Sequence, residues 1–188
     1  YFNQGEAAYA RGDLANALNG WWEAIKEWEK AVEIYPQHTS AHFKLGLTYK
    51  KIGDLAKAHD EMDTAKKAYL LAVSHYEKVL QLNPDDSAVW NNVANVYYSV
   101  EDYDNAIEGY HQALMRKPYD PDYHYNIANA YSKKGLAKQA IEHYEEAIRL
   151  DPNYFDAYYN LANLYERMGD ANNAIRYYQE YILSLIHI

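Results

Sequence analysis

The chain contains no cysteine, so disulfide bonds, thiolate catalysis and cysteine-based zinc sites are excluded. Basic residues are also scarce, with 18 Lys and Arg against 27 Asp and Glu and a net charge of −9. Because attraction to phosphates requires a basic face, this balance argues against nucleic-acid binding and favours neutral or basic partners. The sequence has no run of about 18 apolar residues and therefore predicts no membrane span.

Phenylalanine is nearly missing as well, with 3 residues against 22 tyrosines. Hydrophobic residues still make up 49% of the chain of 188 residues, which is enough to build a packed core. Each tyrosine hydroxyl must reach water or a hydrogen-bond partner. Many of these rings are therefore expected at the edges of the core or in a groove.

The clearest pattern is a repeat, because Pro84, Pro118 and Pro152 follow one another at intervals of 34 residues. Between the prolines the same order of large, small and aromatic residues recurs at helical spacing, which predicts helices with one buried face. In the last three units these positions hold Trp90, Val93, Ala94, Tyr97, Ala106, Tyr110 and Ala113, then His124, Ile127, Ala128, Tyr131, Ala140, Tyr144 and Ala147, then Tyr158, Leu161, Ala162, Tyr165, Ala174, Tyr178 and Tyr181.

This order resembles the tetratricopeptide repeat, and Leu45-Gly46 keeps a glycine where three other units have alanine. The resemblance implies an all-α fold, a right-handed α-solenoid of antiparallel helix hairpins. We expect one solenoid over residues 1–182, with units at about 1–36, 37–84, 85–118, 119–152 and 153–182.

A glycine, followed in most cases by aspartate, marks the predicted turn inside most hairpins. Glycine can end a helix in the left-handed conformation, and aspartate can cap the next helix. Glu101-Asp102 lacks the glycine, so we expect strain of about 1 kcal/mol there or another geometry. The other predicted turns are Gly12-Asp13, Gly53-Asp54, Gly135-Leu136 and Gly169-Asp170.

The first two units are longer than the period. Pro36 and Pro84 are 48 residues apart, and no Gly or Pro lies between Asp54 and Asn83 to form a loop. The sequence therefore predicts elongated second helices, by two heptads in unit two and by one heptad in unit one.

Asparagine lines the predicted groove. It precedes the small apolar pair of the front helix, the first helix of a hairpin, in four units, and in the last three units it recurs three residues later on the same side of the helix. An amide offers a donor and an acceptor and can pair with one peptide unit of an extended chain. The predicted peptide-binding residues are Asn92, Asn95, Asn126, Asn129, Asn160 and Asn163, flanked by Tyr125 and Tyr159; the matching positions in the first two units are Asn3 and Lys44.

The resemblance implies a concave groove for extended peptides, and proteins similar to the O-linked N-acetylglucosamine transferase carry an asparagine ladder at this place. The alternative is that these asparagines are solvated or bond within the fold. A clamp for the acidic carboxyl terminus of chaperones is disfavoured, because units three to five offer only Lys133 and Arg167, near the ends of their helices.

We therefore predict a non-catalytic scaffold that binds a peptide or partner segment through units three to five, without cofactor or metal. His38 and His42 are four residues apart but lack a third ligand, and His124 takes a packing position of the repeat. One alternative is the recognition arm of a larger enzyme such as a glycosyltransferase. Another is self-association through Trp21 and Trp22, which point in different directions because they are adjacent.

The last six residues, 183–188, read Leu-Ser-Leu-Ile-His-Ile and match the translation of a common transposase sequencing adapter. The repeat fails at the same point, because Ile186 stands where the next proline is due. We expect this tail to be foreign to the repeat.

Overall fold

A computed structural model describes the backbone of residues 1–186, and every regular element in that range is an α-helix. The all-α prediction is thus confirmed. The helices are α1 (Phe2–Ala10), α2 (Leu14–Ile34), α3 (Thr39–Ala58), α4 (Met62–Leu82), α5 (Ser87–Ser99), α6 (Tyr103–Arg116), α7 (Pro121–Lys134), α8 (Ala137–Leu150), α9 (Phe155–Arg167) and α10 (Ala171–Ile186). Of the suspected tail 183–188, residues 187 and 188 lie outside the described residues, and its foreign origin stays a prediction.

The helices form two compact units, Tyr1–Val100 with α1 to α5 and Glu101 onward with α6 to α10. From here on, the first unit and the second unit are these two halves of the chain, and the five repeats are called hairpins one to five. The boundary falls between α5 and α6, which the repeat assigns to one hairpin. None of the described helices is long and apolar enough to cross a membrane.

The predicted turns at Gly12, Gly135 and Gly169 adopt left-handed backbone, with φ of +75°, +82° and +79°. Glu101 does the same at φ +65° without being glycine, so the expected strain is present there. Aspartates cap the helices that follow three of the turns: Asp13, Asp102 and Asp170 accept the backbone N–H of the asparagine three residues on, at 3.1–3.2 Å. The side-chain amides of Asn16 and Asn173 also donate to Asp13 and Asp170, and these bonds, followed by the backbone ones, lower the pKa of both aspartates.

The predicted turn at Gly53-Asp54 is wrong. Helix α3 continues through both residues to Ala58, and the hairpin turns at residues 59–61, where Asp60 takes φ +60°. Gly53 is instead a packing site, because a Cβ there would meet the Tyr69 ring at 2.7 Å. The fourteen extra residues therefore do not all lie in the second helix.

Both arms of this hairpin are long, since α3 has 20 residues and α4 has 21, whereas α7 and α8 have 14 each. Gly46 packs against Tyr76 and Gly53 against Tyr69. A Cβ added at either glycine would lie 2.7 Å from the ring of its tyrosine. The two contacts are seven residues apart on each helix, in opposite chain directions. An antiparallel hairpin keeps its register only if both arms grow, so one heptad was added to each. In the first hairpin α2 has 21 residues.

Candidate functional site

The predicted groove residues of the second unit lie on α7 and α9, and hydrogen bonds join three of them. The Nδ2 of Asn160 donates to the hydroxyl of Tyr125 at 2.9 Å and to Oδ1 of Asn129 at 3.0 Å. We call the set Tyr125, Asn126, Asn129, Tyr159, Asn160 and Asn163 the amide–tyrosine face. Five of these six side chains are half-buried, and the sixth, Tyr159, is 46% exposed.

The rear helices, which are the second helices of the hairpins, reach this face through tyrosine hydroxyls. Tyr144 of α8 donates to Oδ1 of Asn129 at 2.5 Å, and Tyr178 of α10 donates to Oδ1 of Asn163 at 2.5 Å. In each case the acceptor precedes the tyrosine by fifteen residues. These two asparagines thus hold the hairpins together while lining the face.

The first unit uses the same spacing with different chemistry. The indole Nε1 of Trp21 donates to Glu6 at 2.9 Å, and the hydroxyl of Tyr69 donates to Asp54 at 2.9 Å, again over fifteen residues. Sequence reasoning missed these pairs. The signal was available, because an aromatic donor follows a polar side chain at an interval of fifteen residues in four hairpins.

Two amide atoms of the face have no protein partner among the described residues. Asn160 uses only its Nδ2, which leaves Oδ1 as an acceptor; Asn163 uses only its Oδ1, which leaves Nδ2 as a donor. Positions three apart on a helix share a side. The face therefore offers one acceptor and one donor side by side, the complement of one peptide unit.

Aromatic rings frame these amides. The Tyr125 ring centroid lies 5.0 Å from that of Tyr154, and Tyr159 lies 6.0 Å from Tyr178 and 5.4 Å from Tyr181. Burial and hydrogen bonds to acids raise the pKa of Tyr154 and raise that of Tyr178 to about 12. The hydroxyls are therefore neutral donors at physiological pH.

Asn92 and Asn95 lie on α5, in the first unit, where both are half-buried. They are thus assigned to a different compact unit from the other four asparagines. At the equivalent position of α3, Lys44 places its Nζ 5.7 Å from the centroid of the Trp28 ring. Asn3 of α1 is exposed.

Histidines form two pairs that the sequence did not predict. Nδ1 of His42 lies 3.0 Å from Nδ1 of His75, and Nδ1 of His124 lies 3.0 Å from Nδ1 of His143. His124 therefore does pack, although as half of a polar pair. His38 caps α3 by accepting the N–H of Ala41 at 3.3 Å, and no described cluster of three His, Asp or Glu could hold a metal ion.

The adjacent tryptophans point apart as expected. Trp21 is 1% exposed and packs on Gly5, whereas Trp22 is 44% exposed with its ring 6.3 Å from Tyr49. Self-association through this region stays a prediction.

Comparison with known proteins fits this geometry. A model described as TPR repeat matches residues 5–53, 94–135 and 137–169, and two models described as tetratricopeptide repeat match residues 75–108 and 156–184. The chain belongs to the tetratricopeptide repeat family. Proteins of this family typically mediate protein–protein interactions. A search of curated proteins finds no match.

Solved structures of such repeat proteins share the fold. MamA from Desulfovibrio magneticus RS-1 is 19% identical with a TM-score of 0.75, covering 98% of this chain and 93% of its own. YrrB, described as a TPR protein with an unusual peptide-binding site, is 17% identical with a TM-score of 0.68, covering 98% and 84%. PilF of Pseudomonas aeruginosa is 22% identical with a TM-score of 0.70, covering 98% and 74%. At these identities the likeness concerns the fold alone.

Proposed function

We propose that this repeat protein is a non-catalytic interaction scaffold and that the amide–tyrosine face of the second unit binds an extended peptide segment. The observation that carries the proposal is the open pair of amide atoms, Oδ1 of Asn160 and Nδ2 of Asn163. A peptide backbone presents an N–H and a C=O at every residue, so these two atoms read the main chain whatever its side chains.

The network around the amides supports a rigid site. Asn160 is held by two hydrogen bonds and Asn163 by one, so little side-chain entropy is lost when a ligand binds. The half-exposed ring of Tyr159 supplies apolar area beside them. Exposed Asp156 and Glu166 on α9 favour a neutral or basic peptide. Asn92 and Asn95 remain predicted contacts of the first unit.

The test begins with linear peptides selected from a displayed random library against the full chain. Their dissociation constants are then measured by fluorescence anisotropy for Tyr159→Ala and Asn163→Asp. Asn163→Asp keeps an acceptor for Tyr178 and removes the open donor. We expect Tyr159→Ala to weaken binding about tenfold and Asn163→Asp several-fold, each near 1 kcal/mol.

The matched control is Lys138→Ala on α8, an exposed residue outside the face. Its affinity should stay within about twofold of the parent. Equal affinities for all three variants would remove this face from the binding reaction, provided that their urea unfolding curves match the parent. The enzyme-arm alternative has no support in the described residues or in the structures named above.

A further inference from the structure

The two histidine pairs share one hydrogen-bond pattern. In each pair the front-helix histidine also places Nε2 2.9 Å from a proline carbonyl, His42 at Pro36 and His124 at Pro118. A carbonyl can only accept, so Nε2 carries the hydrogen, and in the neutral ring Nδ1 is the acceptor. The partner histidine therefore donates its Nδ1–H, and each pair ties the start of the front helix and its preceding loop to the rear helix.

This pattern limits how many protons a folded pair can hold. His75 can be protonated at Nε2 while its Nδ1–H still donates to His42. A second proton would instead leave an N–H on both Nδ1 atoms, 3.0 Å apart, and the bond would be lost. The folded pair thus takes up at most one proton, whereas the unfolded chain takes up two as the pH falls through about 6.5.

We propose that the pairs His42–His75 and His124–His143 are pH-sensitive contacts. They hold hairpin two (α3–α4) and hairpin four (α7–α8) closed near pH 7 and loosen them when the solution is acidified to about pH 5. The linkage has a definite sign. A group that binds fewer protons folded than unfolded contributes stability above its unfolded pKa, and this stability is lost as the pH falls. One excluded proton per pair raises the opening equilibrium of each hairpin by about tenfold per pH unit below about pH 6.5.

The surroundings of both pairs also disfavour uptake of a second proton. His75 stacks on Tyr49 with centroids 5.7 Å apart, and His143 stacks on Tyr131 at 5.6 Å. Burial, followed by the charge of the paired histidine, lowers the pKa of His75 to about 4 and that of His143 to about 4. The second proton of each pair is therefore resisted in the folded protein.

Charged groups near the pairs modify this response. Beside the first pair, α2 contributes Glu29, which accepts the Tyr49 hydroxyl at 2.9 Å, and α4 contributes Lys78, which lines a pocket together with His42. Lys78 opposes protonation by its charge.

Beside the second pair, α6 contributes His111, whose Nε2 lies 2.8 Å from the Tyr131 hydroxyl. From α8, Glu146 favours a protonated His143, but it is held by Arg149 at 2.5 Å and burial of His143 outweighs it. The first pair should therefore respond more sharply.

Hairpin five supplies a control without histidine. At the same two positions it carries Tyr158 and Tyr177, with centroids 6.5 Å apart, and Tyr177 stacks on Tyr165 at 5.6 Å. The double substitution His124→Tyr with His143→Tyr copies this pair into hairpin four, and His42→Tyr with His75→Tyr copies it into hairpin two.

The experiment is amide hydrogen exchange of the full chain at pH 7 and pH 5, corrected for intrinsic rates. Protection of α3–α4 and α7–α8 should fall about tenfold or more relative to α9–α10 in the parent. In each double variant the substituted hairpin should lose no more protection than α9–α10, while the other hairpin keeps its response. Equal pH dependence in parent and variant hairpins would overturn the proposal.

A second measurement needs no variant. In the parent protein, NMR titration should find at most one histidine of each pair protonated down to the pH at which the chain unfolds. Titration of both histidines of a pair near pH 6.5 in the folded protein would overturn the proposal even if the variants fail to fold.

Discussion

Tyr76 offers a sharp test of the packing inside the long hairpin. Its side chain is 0% exposed, and its hydroxyl has no hydrogen-bond partner among the residues that the structure describes. In the repeat it is equivalent to Tyr144 and Tyr178, whose hydroxyls donate to asparagine. The position of that asparagine holds Leu47 in this hairpin, so the acceptor is missing. We predict that Tyr76→Phe stabilises the protein.

The magnitude follows from the price of a buried, unbonded hydroxyl, about 1–3 kcal/mol. Because Tyr76→Phe leaves the ring on Gly46 and removes only the oxygen, most of this cost should be recovered, and we expect a gain of about 1 kcal/mol. Burial also raises the pKa of Tyr76, so the hydroxyl stays protonated near neutral pH and its hydrogen stays unbonded.

Tyr69 is the matched control on the same helix. It is 4% exposed, packs on Gly53 as Tyr76 packs on Gly46, and differs in having an acceptor, Oδ1 of Asp54 at 2.9 Å. Tyr69→Phe should therefore lower the free energy of unfolding by about 1 kcal/mol. Both values come from urea titrations of the full chain, followed by circular dichroism and compared at a fixed m-value.

A double-mutant cycle completes the test. Leu47→Asn restores the acceptor found in the other hairpins, so its effect should be more favourable by about 1 kcal/mol in the parent than in the Tyr76→Phe background. If Tyr76→Phe destabilises the protein as much as Tyr69→Phe, the hydroxyl is satisfied in solution and the reasoning is refuted.

Other contacts of the described residues give further predictions. Asp60→Gly should raise the free energy of unfolding by about 0.5–1 kcal/mol, because glycine tolerates φ +60°, and Gly135→Ala should lower it by about 1 kcal/mol for the opposite reason; urea titration measures both. Gly46→Ala should cost about 2 kcal/mol or more, since its Cβ would lie 2.7 Å from a buried ring, and an unchanged melting temperature would contradict this. Trp21→Phe should cost more than Trp22→Phe by at least about 1 kcal/mol, since only Trp21 is buried and hydrogen-bonded; equal unfolding midpoints would argue against it.

The helices and most of their ends could be predicted from the sequence, because each depends on local chemistry. A proline at a fixed interval closes one helix, a left-handed glycine ends another, and an aspartate caps the next. The turn of the second hairpin could not, because Gly53-Asp54 looks like the other glycine turns while its glycine serves a close contact with Tyr69. Only the partner helix distinguishes the two uses of glycine.

The candidate site was predicted in part for a similar reason. Helical spacing places Asn129 and Asn163 on the open side of their helices, and it cannot tell which hydroxyl of the rear helix reaches them. The answer depends on Tyr144 and Tyr178, fifteen residues away in sequence. Pattern reasoning therefore names candidate residues without their bonds, and their role in binding stays a prediction; the open atoms of the face are seen only in the structure.

The acceptors of these long-range bonds differ between the two units in a way that bears on function. In the first unit they are carboxylates, Glu6 and Asp54, and each also carries a lysine, Lys51 at 2.8 Å and Lys50 at 2.6 Å. In the second unit they are the amides of the amide–tyrosine face. A paired carboxylate has a net charge to balance and prefers its fixed lysine, whereas a neutral amide can serve a hydroxyl and a ligand at once. Uncharged acceptors therefore suit recognition of a peptide backbone, which supports the proposal that the second unit carries the peptide-binding face.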